Sequence, residues 1–419
     1  MKRLDAEIAV VGAGPAGQAM ALALAASGYG VALVDIAAGP AAPATRPDLR
    51  VFALSLASIR LLGSIGAWPV PQAERVQAYR HMCVWQDDLA SALRFDAGEM
   101  GWPALGYIIE HGVLQHALAR RLSAQDGLQC HWGQRVQSLT HHADAVELGL
   151  EDGSGLRVRL VVAADGAASP LRQLAGLAVD RRPYGQRGLV ANLRCTRAHR
   201  DTAWQRFLPT GPLALLPLAG LSGEDGSGAT PACSIVWTLP DAEAERLLQA
   251  PADRFERELN EAAAGVLGDL SLHGARAAFP LARQLAQRYH HGRVVLVADA
   301  AHVVHPLAGQ GLNLGFLDVA ALAQVLAQAR RRGLDPGAPE VLDRYARWRQ
   351  GDNALAARAF TAIGQLYRMD VPGARRVRDL GHRLVAAMPA LRRRLVMQAA
   401  GLAGRVPERC RAAVPAART

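Results

Sequence analysis

The most constraining stretch of the chain is its opening one, where Glu7-Ile8-Ala9-Val10-Val11 runs straight into Gly12-Ala13-Gly14-Pro15-Ala16-Gly17. So short an apolar run reads as a buried strand, and the alanine- and leucine-rich segment after the glycines, ending near Ser27-Gly28, reads as a helix. A second apolar strand, Val31-Ala32-Leu33-Val34, closes on Asp35. Strand, G-x-G-x-x-G, helix, strand and terminal acid together specify a β-α-β unit on a parallel sheet. In such a unit the helix start offers unpaired N–H groups and the positive end of the helix dipole to a pyrophosphate. Asp35 is placed to accept hydrogen bonds from the ribose hydroxyls of an adenosine. Gly12, Gly14 and Gly17, with Pro15 and Ala16 between them, are therefore candidate dinucleotide-binding residues. The competing reading is a glycine turn needed only to pack helix on sheet.

The same design recurs twice. Leu160-Val161-Val162-Ala163-Ala164 ends on Asp165-Gly166, with Ser169 and Arg172 at a following helix start. Val294-Val295-Leu296-Val297-Ala298 ends on Asp299, and His302, His305, Pro306, Gly309, Gln310 and Gly311 lead into the helical spacing of Leu317, Val319, Leu322, Val325 and Leu326. Glycines at 309 and 311 let a ligand approach a helix N-terminus closely. Three strand ends, at Gly12, Asp165 and Asp299, are thus expected to converge on one ligand, and their separation implies a nucleotide domain interrupted by insertions. The spacing of His302 and His305 raises a metal site, but no carboxylate or cysteine clusters with them in sequence. Ordering of the loop is the expected role of both.

With 419 residues the chain is expected to form two to three domains. The segments between the strand ends differ in texture. Residues 76–104 read as strands of another sheet with Trp85 and Phe95 as core residues, a helix begins near Glu110, and Cys130–Leu139 with Ala145–Leu150 reads as a strand pair. Residues 179–284 carry strands at Leu189–Arg194, Leu213–Leu218 and Ser234–Leu239 and an amphipathic helix after Pro251. This gives a nucleotide-binding domain of 1–75, 105–178 and 285–370, a sheet domain of 76–104 and 179–284 that roofs the ligand, and a helical tail of 371–419. In the tail Val377, Leu380, Leu384 and Met388 share a face, which either packs on the fold or lies in a membrane interface.

The net charge of +10 does not indicate nucleic acid, because arginine is spread along the chain and aromatic residues make up only 5%. Five cysteines, odd in number and never in a C-x-x-C pair, fit free thiols in a reducing compartment. Asp5 and Glu7 interrupt any secretory signal, and the longest apolar run, Ala19 to Ala26, is too short to span a bilayer. The expected location is the cytoplasm, with contact to the inner-membrane surface left open.

These motifs, in this order, resemble the single-component flavin aromatic hydroxylases. Arg50-Val51-Phe52-Ala53-Leu54-Ser55, Tyr107-Ile108-Ile109-Glu110, Val113-Leu114-Gln115, Tyr184-Gly185-Gln186, Gly211 to Leu218 and Arg349 to Asn353 resemble the ubiquinone-biosynthesis subfamily within them. The resemblance implies an α/β fold, a Rossmann-like FAD-binding domain of glutathione-reductase type interrupted by a β-sheet substrate domain, with C-terminal helices. It also implies FAD, with its pyrophosphate at Gly14 to Gly17, its adenosine ribose at Asp35, Asp299 near its ribityl and pyrophosphate region, and Asp165 among its contacts. Gly309, Gln310, Gly311, Leu312 and Asn313 would then meet the flavin ring, with Pro306 a further cofactor contact and Arg50 and Gln115 on the ring's other side. Such enzymes reduce FAD with NAD(P)H, add O2 to form a flavin hydroperoxide, and pass one oxygen to an electron-rich phenol. The subfamily's substrates carry a polyprenyl tail, and quinone-biosynthesis proteins are expected partners.

The flavin carries that chemistry, so no catalytic side chain and no metal are expected; Tyr184 and Phe207 are candidates to touch the phenol ring. Two departures stand out. Ala298 replaces the usual glycine before the third acid, adding a methyl where a ribose approaches. His111-Gly112 replaces Asn-Arg, removing a cation near the flavin edge. Two rivals stay open, a flavin hydroxylase of a small soluble aromatic and a non-catalytic flavoprotein subunit of a quinone-synthesis complex.

Overall fold

The computed structural model describes residues 5–44, 46–221, 230–305, 309–368, 381, 384–385 and 387–411. Pro306, Val377 and Leu380 lie outside these residues. In chain order the first elements are β1 (Ile8–Val11), α1 (Pro15–Ala25), β2 (Val31–Asp35), β3 (Val51–Ser55), α2 (Leu56–Ser64), β4 (Val76–Tyr79), β5 (His81–Trp85), β6 (Leu93–Asp96), β7 (Gly106–Glu110) and α3 (His111–Ser123). Then come β8 (Leu128–Trp132), β9 (Val136–His141), β10 (Val146–Leu150), β11 (Gly155–Val158), β12 (Leu160–Ala163), α4 (Pro170–Leu174), β13 (Val179–Cys195), β14 (Thr202–Leu208), β15 (Gly211–Leu221) and β16 (Thr230–Pro240). The last are α5 (Asp241–Gln249), α6 (Ala252–Ala263), β17 (Leu270–Ala286), β18 (His290–His291), β19 (Val294–Leu296), β20 (His302–Val303), α7 (Gln310–Arg331), α8 (Pro339–Arg368) and α9 (Pro389–Ala399).

The first sheet runs β18-β19-β12-β1-β2-β8, parallel from β19 to β8. Its central strands, β19, β12, β1 and β2, are buried on both faces, which is why they read as unbroken aliphatic runs rather than alternating ones. The three motif-bearing strands are neighbours, with Val11 level with Ala163 and Ala163 level with Leu296. Their carboxyl ends therefore open on the same edge of the sheet, where α/β folds hold their ligands. Alanine along α1 lets it pack closely between α3 and α7.

The second sheet runs β20-β17-β13-β16-β15-β14-β5-β6. One face is covered by α5 and α6, where Phe255 and Leu259 pack with Leu189, Ile235 and Trp237. Trp85 is part of this core, whereas Phe95 is half-buried. A three-stranded sheet, β3-β7-β4, bridges the two larger ones, and Ala53 and Ile108 pack against Leu218 and Ala232 across the seam.

Three local expectations fail. Cys130–Leu139 is not one strand, because Gly133 turns at φ 67 and splits it into β8, which joins the parallel sheet, and β9, which pairs with β10. Val76–Tyr79 pairs with β7 and not with the second sheet. The helix α5 went unread because only Ala244 and Leu247 of its residues are buried, too few to mark an apolar face.

Candidate active site

At the first strand end, two glycines are required by packing and one by space. A Cβ on Gly12 would stand 2.4 Å from the Ala164 carbonyl oxygen, and one on Gly17 would stand 1.8 Å from that of Gly12. A Cβ on Gly14 would meet nothing within 4 Å. The N-terminus of α1 at Gly14 has no side-chain cap and no acid in its first turn, so its N–H groups face an open groove. Pro15 gives up no donor there, and Ala16 is buried beneath it. A cavity of about 140 Å³ adjoins this turn, lined by Gly14, Gln18, Asp35, Gln115 and Trp132 among others.

Asp35 accepts from the backbone N–H groups of Ala13 and Ala37, which aims its carboxylate into the cavity rim. Gln18 and Gln115 each donate to the Ala13 carbonyl, at 2.8 and 2.9 Å, and the Oε1 of each has no hydrogen-bond partner. Buried polar atoms are rarely left unpaired. These two acceptors, the uncapped helix start and the carboxylate could hold the sugar-phosphate part of a dinucleotide.

At the second strand end, Asp165 is already committed locally. It accepts from Ser169 Oγ at 2.5 Å and from Leu171 N at 3.0 Å, capping α4. Burial pushes its carboxyl up, opposed by those two hydrogen bonds. Arg172, itself buried, donates to the carbonyls of Ala300 and Ala167, both at 2.9 Å. It fastens this strand end to the loop of the third.

That third loop makes a short 3-10 turn at Ala298–Ala300. Ala298 adopts φ +53, the left-handed region that favours glycine. Its methyl is turned toward α7. It lies beside Gly315, where any added Cβ would come within 2.7 Å of it. The glycine in α7 is what accommodates the alanine in the loop. Asp299 is half-buried, and burial pushes its carboxyl up against the charges of His302 and Arg50.

Beneath the loop lies a polar cluster that sequence reading did not find. Buried Asp318 of α7 accepts from His302 Nε2 at 2.5 Å, from the Ala298 N–H, from Arg349 Nε at 2.8 Å and from Asn353 Nδ2 at 2.9 Å. Asn353 also donates to the Tyr289 hydroxyl at 3.1 Å. His302 is thereby a loop-ordering residue, and among the described residues no group of three or more His, Cys, Asp or Glu could hold a metal. Arg349 and Asn353 stood out in the sequence only as a subfamily segment. Asp318 carried one faint signal, a lone acid in an apolar helix.

The start of α7 is uncapped at Gly309, with no acid in its first turn and open space over Gly311. Leu312 packs on the first core. The buried side chain of Asn313 is fully occupied: its oxygen accepts from Ser55 N and Ser58 Oγ, and its amide donates to the carbonyls of Ala53 and Gly309. Only the backbone of Asn313 is left to face a ligand. Gln310 Nε2 donates to the Ala399 carbonyl, so α9 ends against this turn.

Arg50 is exposed, with its guanidinium 5.2 Å from the centre of the Phe52 ring. The substituted pair at 111–112 opens α3, and Asp48 Oδ2 accepts from the Gly112 N–H at 3.2 Å. Tyr184 packs edge-on to His305 of the third loop and hydrogen-bonds Thr361 of α8 at 2.8 Å. Phe207 is farther along the second sheet, stacked on Tyr367 with ring centres 3.7 Å apart. Tyr184 therefore adjoins the loop, and Phe207 adjoins the end of α8.

Comparison with known proteins agrees with this architecture. An FAD binding domain family matches residues 5–354. The chain is 36% identical over 403 residues to 3-demethoxyubiquinol 3-hydroxylase of Escherichia coli, covering 96% of this chain and all of that one. It is likewise 36% identical to ubiquinone hydroxylase UbiL of Rhodospirillum rubrum, over 96% of this chain and 91% of that one. Among solved structures, p-nitrophenol 4-monooxygenase of Pseudomonas putida shares the fold at a TM-score of 0.73, with 19% identity over 97% of this chain and all of the other. The chain belongs to the FAD binding domain family, among the FAD-dependent monooxygenases that include the ubiquinone-biosynthesis hydroxylases.

Proposed function

We propose that this monooxygenase hydroxylates the aromatic ring of a polyprenylated phenol in ubiquinone biosynthesis, with FAD lying across the three adjacent strand ends. The observation that carries the reading is the pair of uncapped helix starts, at Gly14 and Gly309, in a chain similar over 96% of its length to ubiquinone hydroxylases. The residues fit the cofactor. Gly14 leaves room for a pyrophosphate, and Asp35 and Gln18 would offer acceptors to the adenosine sugar; Gln115, expected beside the flavin ring, lines the same cavity as Asp35, Asp299 would border the ribityl chain, and Asp165, spent on capping α4, would hold its strand end in place. The N–H groups of Gly311, Leu312 and Asn313 would favour negative charge on the ring, with Arg50 on its opposite edge.

FAD reduced by NAD(P)H supplies the activation of O2 and the transfer of one oxygen atom to the phenol. The protein orients the ring and keeps water away. Tyr184, wedged between His305 and Thr361, is placed to border the ring, and Phe207 to border the region beneath α8. On the outside, Leu384, Met388 and Leu395 are exposed beside Arg393 and Arg394. Apolar and basic side chains together suit an anionic lipid surface, the source of a polyprenylated substrate and a meeting place for other quinone-biosynthesis proteins. The working location is then the cytoplasmic face of the inner membrane.

The test is a strain lacking the gene. It should accumulate a prenylated phenol one ring hydroxyl short of the product, and that phenol should stimulate NAD(P)H oxidation by the purified flavoprotein. A normal quinone profile, or flavin-loaded protein indifferent to every prenylated phenol, would overturn the assignment and favour a small aromatic substrate or a non-catalytic subunit.

A further inference from the structure

The second sheet has two unlike faces. Leu189, Ala191 and Leu193 of β13 and Cys233, Ile235 and Trp237 of β16 belong to the core beneath α5 and α6. Side chains alternate along a strand, so Val190, Asn192 and Arg194, and Ala232, Ser234 and Val236, point the other way. That other face meets the cofactor side of the molecule. Ala232 packs with Ala53 and Ile108, and Asn192 Nδ2 donates to the Asp48 carbonyl at 3.1 Å, two residues before Arg50. Ala53 in turn abuts the turn that starts α7, since a Cβ on Gly309 would lie 3.2 Å from its methyl.

This seam holds Asn192, Ser234 and Arg194 in one cross-strand neighbourhood, with His273 and Ser271 of β17 level with Asn192 and Arg194 and more open to solvent. Asn192 stands level with Ser234, and Arg194 is the next residue of β13 on the same face, level with Ala232. Asn192 Oδ1, Ser234 Oγ and Arg194 Nε and Nη2 have no hydrogen-bond partner. Asn192 is 1% exposed and Ser234 0%. Native interiors leave few such atoms unpaired, and each one costs stability. Several together, on the face turned toward the flavin loop, indicate a partner supplied from outside the chain. They comprise one acceptor, one hydroxyl able to donate or accept, and one cationic donor. That set complements a single oxygen that bears a proton or a negative charge, set among aliphatic side chains.

We infer that Asn192, Ser234 and Arg194 form the subsite that receives the ring hydroxyl of a phenolic substrate, an assignment that rests on the phenol-hydroxylase reading above. Asn192 Oδ1 accepts the hydroxyl proton, and Ser234 and Arg194 donate to the oxygen. The ring is then held by its oxygen against the second sheet with its carbon edge free to face the flavin loop.

The test uses the full-length, FAD-loaded protein titrated with 4-decylphenol and with its methyl ether, 4-decylanisole, read by perturbation of the flavin absorbance. The parent should prefer the phenol. Ser234→Ala and Arg194→Met should each lower phenol affinity by roughly tenfold and leave ether affinity unchanged, the size of one lost hydrogen bond. Asn192 is left intact because its amide also holds Asp48. Ser234→Ala removes one unpaired hydroxyl from the interior, so its flavin content and melting temperature should match or exceed the parent's. Variants that keep the parent's full preference for the phenol would overturn the subsite and show that ordered water alone meets these atoms. A parent that binds neither probe would overturn the phenol-hydroxylase reading, and this subsite with it.

Discussion

Ala298 shows how one residue's cost is met by another far from it in sequence. A left-handed alanine is disfavoured by about 1–2 kcal/mol, and its methyl has room only because position 315 is glycine. The next residue, Asp299, faces the opposite demand. Burial pushes its carboxyl up, and the charges of His302 and Arg50 only partly oppose this. An acid raised in this way holds its proton more firmly folded than unfolded. Its contribution is therefore complete at acid pH and is lost as pH rises through the folded value. Asp299→Asn removes that loss, so the cofactor-free variant should melt above the cofactor-free parent at neutral pH. Its FAD affinity should fall by roughly tenfold, measured by equilibrium dialysis, because a charged acceptor is gone. Undiminished flavin occupancy would remove Asp299 from the cofactor site.

Among the elements, α7 and α8 act as one unit through Asp318. By length and composition α7 could cross a membrane, with a hydropathy of 1.4, but 67% of that stretch is buried inside the protein and it serves as a core helix. Its buried acid joins the Asp299 loop through His302 and joins α8 through Arg349 and Asn353. Burial alone would raise the Asp318 carboxyl. The charges of His302 and Arg349, with the hydrogen bonds from His302 and Asn353, outweigh it and bring the carboxyl down to about 2. Asp318→Asn should cost about 3–5 kcal/mol in chemical denaturation, because the buried Arg349 guanidinium loses its counter-charge. A depressed carboxyl contributes stability that is complete above its unfolded value near 3.9 and is lost toward the folded one. The gap between parent and variant should thus be level above about pH 5 and shrink between about pH 4 and pH 2. A gap that does not depend on pH would show that the hydrogen bonds, and not the charge, hold the two helices.

For the whole molecule, the packing of the end of the chain argues against a separable tail beginning at 371. The Ala57 N–H donates to the Ala400 carbonyl, Trp348 Nε1 donates to that of Arg405 at 3.1 Å, and Gln324 pairs with Glu408. Val406 and Cys410 are buried in the core of the first sheet. Each such apolar side chain stabilises by about 1.5–3 kcal/mol, against a typical total of about 5–15 kcal/mol. Deleting residues 400–419 should therefore lower soluble yield and melting temperature as well as any lipid binding. A truncated protein with the parent's stability and flavin content would show that this segment is an accessory after all.

The sequence by itself determined the three acid- and glycine-ended strands, because a buried strand, a tight turn and a helix start are each written in adjacent residues. It likewise indicated the flavin, since the motif order at Gly12, Asp165 and Asp299 is a property of the chain alone. Only the tertiary structure made β19, β12 and β1 neighbours, since parallel pairing joins segments more than a hundred residues apart. It alone showed that Gly12 and Gly17 serve packing while Gly14 stands in open space, and that the Asn313 side chain is spent on the β3–α2 junction. Asn192 and Ser234 were illegible beforehand, and Asp318 nearly so, for the same physical reason. A polar residue in an apolar stretch acquires its meaning from partners, or from their absence, on other elements, and those distances exist only once the chain has folded.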